Sequence, residues 1–153
     1  MDYFVDTSAL IKLFVDEVGS TWMRSLFDPD VSNRVSIAKI TIAEIDSALA
    51  RRAREGTISI IERDQAQKKF LAAARSEYST INLTVNVLLR SRRLLNAYPL
   101  RAADAIQLAS ALKVNAPLVA TGSASIIFLS ADDRLLTAAA SEGLQVDNPN
   151  RHP

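Results

Sequence analysis

Apolar and polar positions along this chain switch repeatedly between a period of two and a period near 3.6. The apolar run Tyr3-Phe4-Val5 stops at Asp6-Thr7-Ser8, after which Leu10, Ile11, Leu13 and Phe14 recur at helical spacing. That pattern predicts strand, tight turn, helix. Gly19-Ser20 opens a second helical stretch through Trp22, Leu26 and Phe27, which Pro29 stops. Residues 34–40, with Val35 and Ile37 out of phase with Ser36, predict a second strand. Thr41 begins a helix reaching Glu55, closed by Gly56. A long polar helix over 59–78, a β-like stretch over 80–84, an amphipathic helix over 86–98 and an Ala- and Leu-rich helix over 101–114 follow. Residues 125–130 predict a buried strand, 132–142 a helix and 144–146 a last short strand. Strands separated by helices imply an α/β fold, a three-layer α/β/α sandwich around a mostly parallel sheet. Residues 1–147 are expected to form one domain, with 148–153 as a loose tail.

Composition narrows the chemistry. The chain of 153 residues has no cysteine, which removes disulfides, thiolate nucleophiles and cysteine-ligated metals. Its one histidine, His152, sits next to the last residue, so a catalytic triad or a histidine-ligated zinc would rest on the tail. Acid–base and hydrolytic work therefore falls to carboxylates and metal-activated water. No stretch reaches the roughly 18 apolar residues of a membrane span, so a cytoplasmic protein is expected. The formal net charge is only +1, and nucleic-acid binding has to come from local clusters. Arginines outnumber lysines 13 to 5. They gather at Arg51, Arg52 and Arg54 and again at Arg90, Arg92, Arg93 and Arg101. Arginine suits bidentate phosphate contacts, although each cluster also fits a solvated helix face.

Four acids stand in apolar surroundings: Asp6 after Phe4-Val5, Glu44 between Ile42 and Ile45, Asp104 within Ala102-Ala103-Asp104-Ala105-Ile106, and Asp132 after Phe128-Leu129-Ser130-Ala131. Taken singly each has a local explanation. Asp6 can cap the first helix, and Thr41-x-x-Glu44 and Ser130-x-x-Asp133 both match the capping-box pattern. Taken together the four apolar settings are not explained by caps. Partly buried carboxylates brought close must be protonated, paired with a base or bound to a cation, and no basic residue lies within two positions of Asp6 or Glu44. All-oxygen ligands suit Mg2+ or Mn2+. Ligands of α/β sheets bind beyond the carboxyl ends of the strands, where Asp6, Glu44 and Asp132 fall by topology. A glycosidase needs only two acids and this chain has few aromatics for sugars. A phosphorylation receiver wants two adjacent acids after its first strand, and Asp6 is followed by Thr7.

The stretches Phe4-Val5-Asp6-Thr7-Ser8-Ala9-Leu10, Thr41-Ile42-Ala43-Glu44-Ile45, Leu100 through Ala109, and Phe128 through Asp132 with Arg134-Leu135-Leu136 resemble, in order and across nearly the whole chain, the PIN-domain nucleases. The likeness is to the VapC-type toxins of toxin–antitoxin pairs. What the resemblance implies is a Mg2+- or Mn2+-dependent endoribonuclease, a homodimer, inhibited by a VapB-type antitoxin. Asp6 and Asp104 would be the principal metal ligands, with Glu44 and Asp132 completing the acidic cluster. Ser8 would orient a metal-bound water, or cap the helix, or both. Asp133 reads as the capping partner of Ser130. The segment 114–125 is longer than the usual link into the fourth strand, which leaves a non-catalytic PIN-like module that binds RNA or a protein partner as the alternative. Leu10, Leu13, Phe14, Trp22 and Phe27 are candidates either for a dimer patch or for the core.

Overall fold

The computed structural model describes residues 1–152. Five strands, β1 (Asp2–Val5), β2 (Arg34–Ala38), β3 (Tyr78–Ile81), β4 (Ile127–Leu129) and β5 (Gln145–Asp147), form one sheet in the order β3-β2-β1-β4-β5. Every neighbouring pair is parallel, with Phe4 opposite Ser36 on one side and Phe128 on the other. The helices are α1 (Thr7–Leu10), α2 (Ser20–Leu26), α3 (Thr41–Arg54), α4 (Ile60–Ser76), α5 (Val85–Ala97), α6 (Ala102–Ala120) and α7 (Asp133–Ser141). They supply the crossovers that parallel strands require.

Strand alternation sends side chains to opposite faces, and two cores result. On one face Phe4 and Phe128 stack with centroids 5.7 Å apart, under Leu94 of α5, Leu108 and Leu112 of α6 and Leu135 of α7. On the other, Tyr3, Val5, Ile37 and Leu129 meet Leu10, Met23, Ile45, Leu49 and Phe70. Burying each such side chain is worth about 1.5–3 kcal/mol, and the stacked pair adds about 0.5–1.5 kcal/mol. Helices thus cover both faces, the three-layer sandwich expected from the sequence. Leu10 is buried in the second core, and Leu13, Phe14, Trp22 and Phe27 pack against it half-buried.

Two stretches differ from expectation. The helix expected to stop at Val114 continues as α6 to Ala120, with Pro117 inside it. Proline removes one N–H bond, here to the carbonyl of Lys113, whose side chain is exposed. Val114 and Leu118 pack half-buried against the first core and keep the helix going. The apparent long link is therefore mostly helix. The segment after β5 is not loose either. Asn148 and Pro149 are buried, residues Pro149–Arg151 make a 3-10 turn, and the His152 ring stacks on Trp22 with centroids 4.0 Å apart. His152 Nε2 also sits 2.9 Å from Asp147 Oδ1. Gly19, at φ +85°, lets Pro149 approach so closely that a Cβ there would lie 2.2 Å from the Pro149 carbonyl oxygen. Pro153 lies outside the described residues.

Candidate active site

The C-terminal ends of β1, β2 and β4 open onto a cleft of about 510 Å³ lined by Asp6, Ser8, Glu44 and Asp104, with Lys12, Glu17, Arg51, Arg52, Arg101, Ala131 and Asn150 around them. Asp6 follows β1 directly and caps α1, its Oδ1 accepting from the Ser8 hydroxyl (2.8 Å) and the Ala9 amide (3.1 Å). It is 5% exposed. Burial pushes its pKa up from 3.8 to about 7, against the hydrogen bonds from Ser8 and Ala9 that lower it, and Glu44 adds a further upward push. No lysine or arginine forms an ion pair with Asp6, Glu44 or Asp104 among the described residues.

Ser8 does not cap a helix. Its hydroxyl donates to Asp6 and accepts from the Ala131 amide at 2.8 Å, tying the turn after β1 to the turn after β4. Glu44 lies in the first turn of α3, which begins after Ile40 without a side-chain cap, so the Thr41–Glu44 capping box is not formed. Glu44 Oε2 instead accepts from the Thr7 hydroxyl (2.9 Å) and the Gln107 amide (2.7 Å). Asp104, in the first turn of α6, accepts from the Arg101 amide at 3.3 Å and shares the cleft with Asp6.

Asp132 is placed differently. It is the N-cap of α7, accepting from the amides of Arg134 (2.8 Å) and Leu135 (3.3 Å), and the cleft wall beside it is Ala131. Ser130 does not cap this helix with Asp133, because Asp132 holds that position and Ser130 Oγ accepts the Asp132 amide. Asp133 binds Asn148 and Arg151, and its pKa is lowered by the hydrogen bond from Asn148 and the charge of Arg151. The four acids therefore do not close on one point. Among the described residues no three Asp, Glu, His or Cys side chains enclose a metal position unaided. A hard cation that keeps several waters and takes one or two carboxylates fits this donor set. The unpaired, buried Asp6 is the oxygen it would satisfy.

Of the arginines expected to meet RNA, Arg101 lines the cleft, whereas Arg90 and Arg93 line grooves between α5 and α6. Arg92 is exposed on α5. The sequence reading missed Lys12, which is 3% exposed and donates to Glu17 (3.0 Å) and the Val18 carbonyl (2.9 Å). Arg52 reaches the same Glu17. The available signal was a lone lysine inside the apolar run Leu10 to Phe14. Thr7, Thr41, Gln107 and Asn150 carried no comparable signal.

The sequence model of the PIN domain matches residues 3–140. Ribonuclease VapC45 and Ribonuclease VapC49 of Mycobacterium tuberculosis are each 32% identical over 146 residues, covering 94% of this chain and 92% of theirs. In fold, a toxin–antitoxin complex from Klebsiella pneumoniae has a chain that superposes with a TM-score of 0.60 at 21% identity, over 96% of this chain and 97% of that one. With that match running from Tyr3 on the central strand to the last turn of α7, the chain belongs to the PIN-domain family.

Proposed function

We propose that this protein is a divalent-cation-dependent endoribonuclease and the toxin of a toxin–antitoxin pair. One observation carries the reading: Asp6, buried and without a cationic partner, shares a cleft with Glu44 and Asp104 at the carboxyl ends of the central strands. The VapC ribonucleases that match over nearly the full chain support RNA as the substrate. The likeness to the toxin–antitoxin complex supports a VapB-type antitoxin as partner.

Asp6 and Asp104 would hold Mg2+ or Mn2+, with Glu44 beside them and Asp132 adding negative charge from the rim. When bound, such a cation supplies a lowered water pKa and neutralises charge on the phosphate oxygens. Arg51 and Arg101, exposed at the cleft and in no ion pair with an acid among the described residues, bind phosphates flanking the scissile bond. Ser8 holds Asp6 in place through Oδ1 and braces Ala131 across the cleft. Glu44 Oε1 accepts the proton that water loses as its oxygen attacks phosphorus, and the leaving oxygen is protonated from solvent.

No helix among the described residues is long and apolar enough to cross a membrane, and action in the cytoplasm belongs to the same proposal. So does a homodimer, for which Val85, Leu88 and Leu89 of α5 and Ile60 and Ile61 of α4 are exposed apolar candidates. The test is cleavage of total RNA by purified protein with Mg2+ or Mn2+, with EDTA, and with Asp6→Asn. Cleavage lost in EDTA and in the variant is expected. Full-rate cleavage in EDTA would overturn the mechanism, and RNA binding without cleavage under every condition would leave a non-catalytic binding module.

A further inference from the structure

Gln107 lies on α6 three residues beyond Asp104, on the same helix face, and is 2% exposed. Its amide nitrogen stands within hydrogen-bond distance of three oxygens from two other elements: Thr7 Oγ1 (3.1 Å), Thr41 Oγ1 (2.9 Å) and Glu44 Oε2 (2.7 Å). An amide nitrogen has two hydrogens, so three acceptors saturate it. The Thr7 hydroxyl is itself spent as a donor to Glu44 Oε2 at 2.9 Å. Glu44 Oε2 thus receives two neutral donors.

The other end of the amide is left out. Gln107 Oε1 is buried and has no partner. Turning the amide over would offer Oε1 to the Thr41 hydroxyl, but it would also set that oxygen 2.7 Å from Glu44 Oε2, acceptor against acceptor. The observed orientation leaves the buried acceptor unpaired in favour of the donor to Glu44. The unpaired Oε1 is a cost to stability that an apolar side chain of the same length would not carry, set against the bonds the amide nitrogen makes to Thr41 and Glu44. A lysine or arginine here would neutralise Glu44, and a carboxylate would repel it. An amide directs the carboxylate and leaves its charge unchanged.

We propose that Gln107 is a positioning residue: with Thr7 it clamps Glu44 Oε2, so that Oε1 is the oxygen turned to the cleft. The role in turnover rests on the RNA-cleavage reading above; the clamp itself does not. Three measurements on Gln107→Met test it. The melting temperature should move little, because relief of the unpaired Oε1 offsets the loss of the bonds to Thr41 and Glu44. With RNA, kcat should fall by about tenfold or more with KM within about twofold, since the contact acts on the reacting group and not on substrate binding. In a crystal structure of the variant, the Glu44 carboxylate should have left the Thr7 hydroxyl. Gln107→Asn, one methylene short, keeps the polarity but not the reach, and should lose kcat likewise.

A Gln107→Met protein with wild-type kcat, or one in which Glu44 Oε2 still rests on Thr7, overturns the proposal. So does a fall in melting temperature with kcat unchanged, which is the mark of a merely structural amide. If the wild type cuts no RNA, the nuclease reading has failed, and the position of Glu44 in the variant crystal still decides whether Gln107 holds it.

Discussion

Replacing Asp6 with asparagine should stabilise the protein above neutral pH when no divalent cation is present. The carboxyl titrates near 7 in the folded chain against 3.8 ordinarily, chiefly because burial disfavours the charged form. Below about pH 4 it is protonated in both states and costs nothing. Between pH 4 and 7 the unfolded chain gives up a proton that the folded chain keeps, so stability falls as pH rises, by about 1.4 kcal/mol per pH unit. Above pH 7 the loss levels off at about 4 kcal/mol, the product of that shift and the free energy per unit. Asparagine keeps an Oδ1 for Ser8 and Ala9 and has no charge to bury. Urea denaturation of both proteins in EDTA from pH 3.5 to 8.5 should therefore show midpoints that nearly coincide in acid and separate by roughly 2 M at the alkaline end, for a slope of about 2 kcal/mol/M. Saturating Mg2+ at about 100 times its Kd should return about 2.7 kcal/mol to the wild type and nothing to the variant. A separation that stays flat across this range would show that Asp6 is not a buried, uncompensated acid. Equal gains from Mg2+ would show that it is not a ligand.

Gly19→Ala combines a left-handed φ with a Cβ 2.2 Å from a backbone oxygen, and should cost at least about 2 kcal/mol in urea denaturation. A neutral result would mean that the segment from Asn148 to His152 does not rest on α2. Asp132→Asn preserves the cap of α7 while Asp132→Ala removes it at a cost of about 1 kcal/mol. If both variants cut RNA at the wild-type rate, Asp132 belongs to the helix and not to the chemistry. Neutralising Arg51 or Arg101 should weaken RNA binding alike for all sequences and lower the log–log salt slope by about 0.7 each. Applied to Arg90 and Arg93, the same measurement tells whether RNA runs on into the α5–α6 grooves, an unchanged slope assigning them to solvated helix faces.

The elements that could be read from the sequence were those whose pattern and punctuation agreed. Phe4-Val5 before Asp6 predicts the central strand and its polar exit because the apolar run ends where the chain turns. Pro117 misled, since a proline in the last turns of a helix breaks only one bond, and whether Val114 and Leu118 find a core is settled by tertiary packing. Asp132 and Asp133 are a one-residue ambiguity that no pattern resolves. One became a cap and the other a tether for Asn148 and Arg151. Asp6, Glu44 and Asp104 stood out as acids in apolar sequence. Gln107, which touches one of them, did not, because an uncharged residue on a helix carries no trace of what it faces sixty-odd residues away. His152 was read as tail, and its stack on Trp22 depends on a contact across most of the chain.

The central position of β1 has a consequence for how the protein comes off the ribosome. Phe4 is made well over a hundred residues before Phe128, one of its two neighbours in the sheet. At about 5–20 residues per second the intervening chain takes roughly 6–25 s to synthesise. Throughout that interval β1 has one edge unpaired, and the Ser8 hydroxyl waits for the Ala131 amide that anchors the far wall of the cleft. Asp6, Glu44 and Asp104 are all translated before that wall exists. A nascent chain would therefore carry its acids past the exit tunnel without a cleft to hold them, and RNA-cutting activity should begin only after Ala131 has emerged and β4 has docked beside β1.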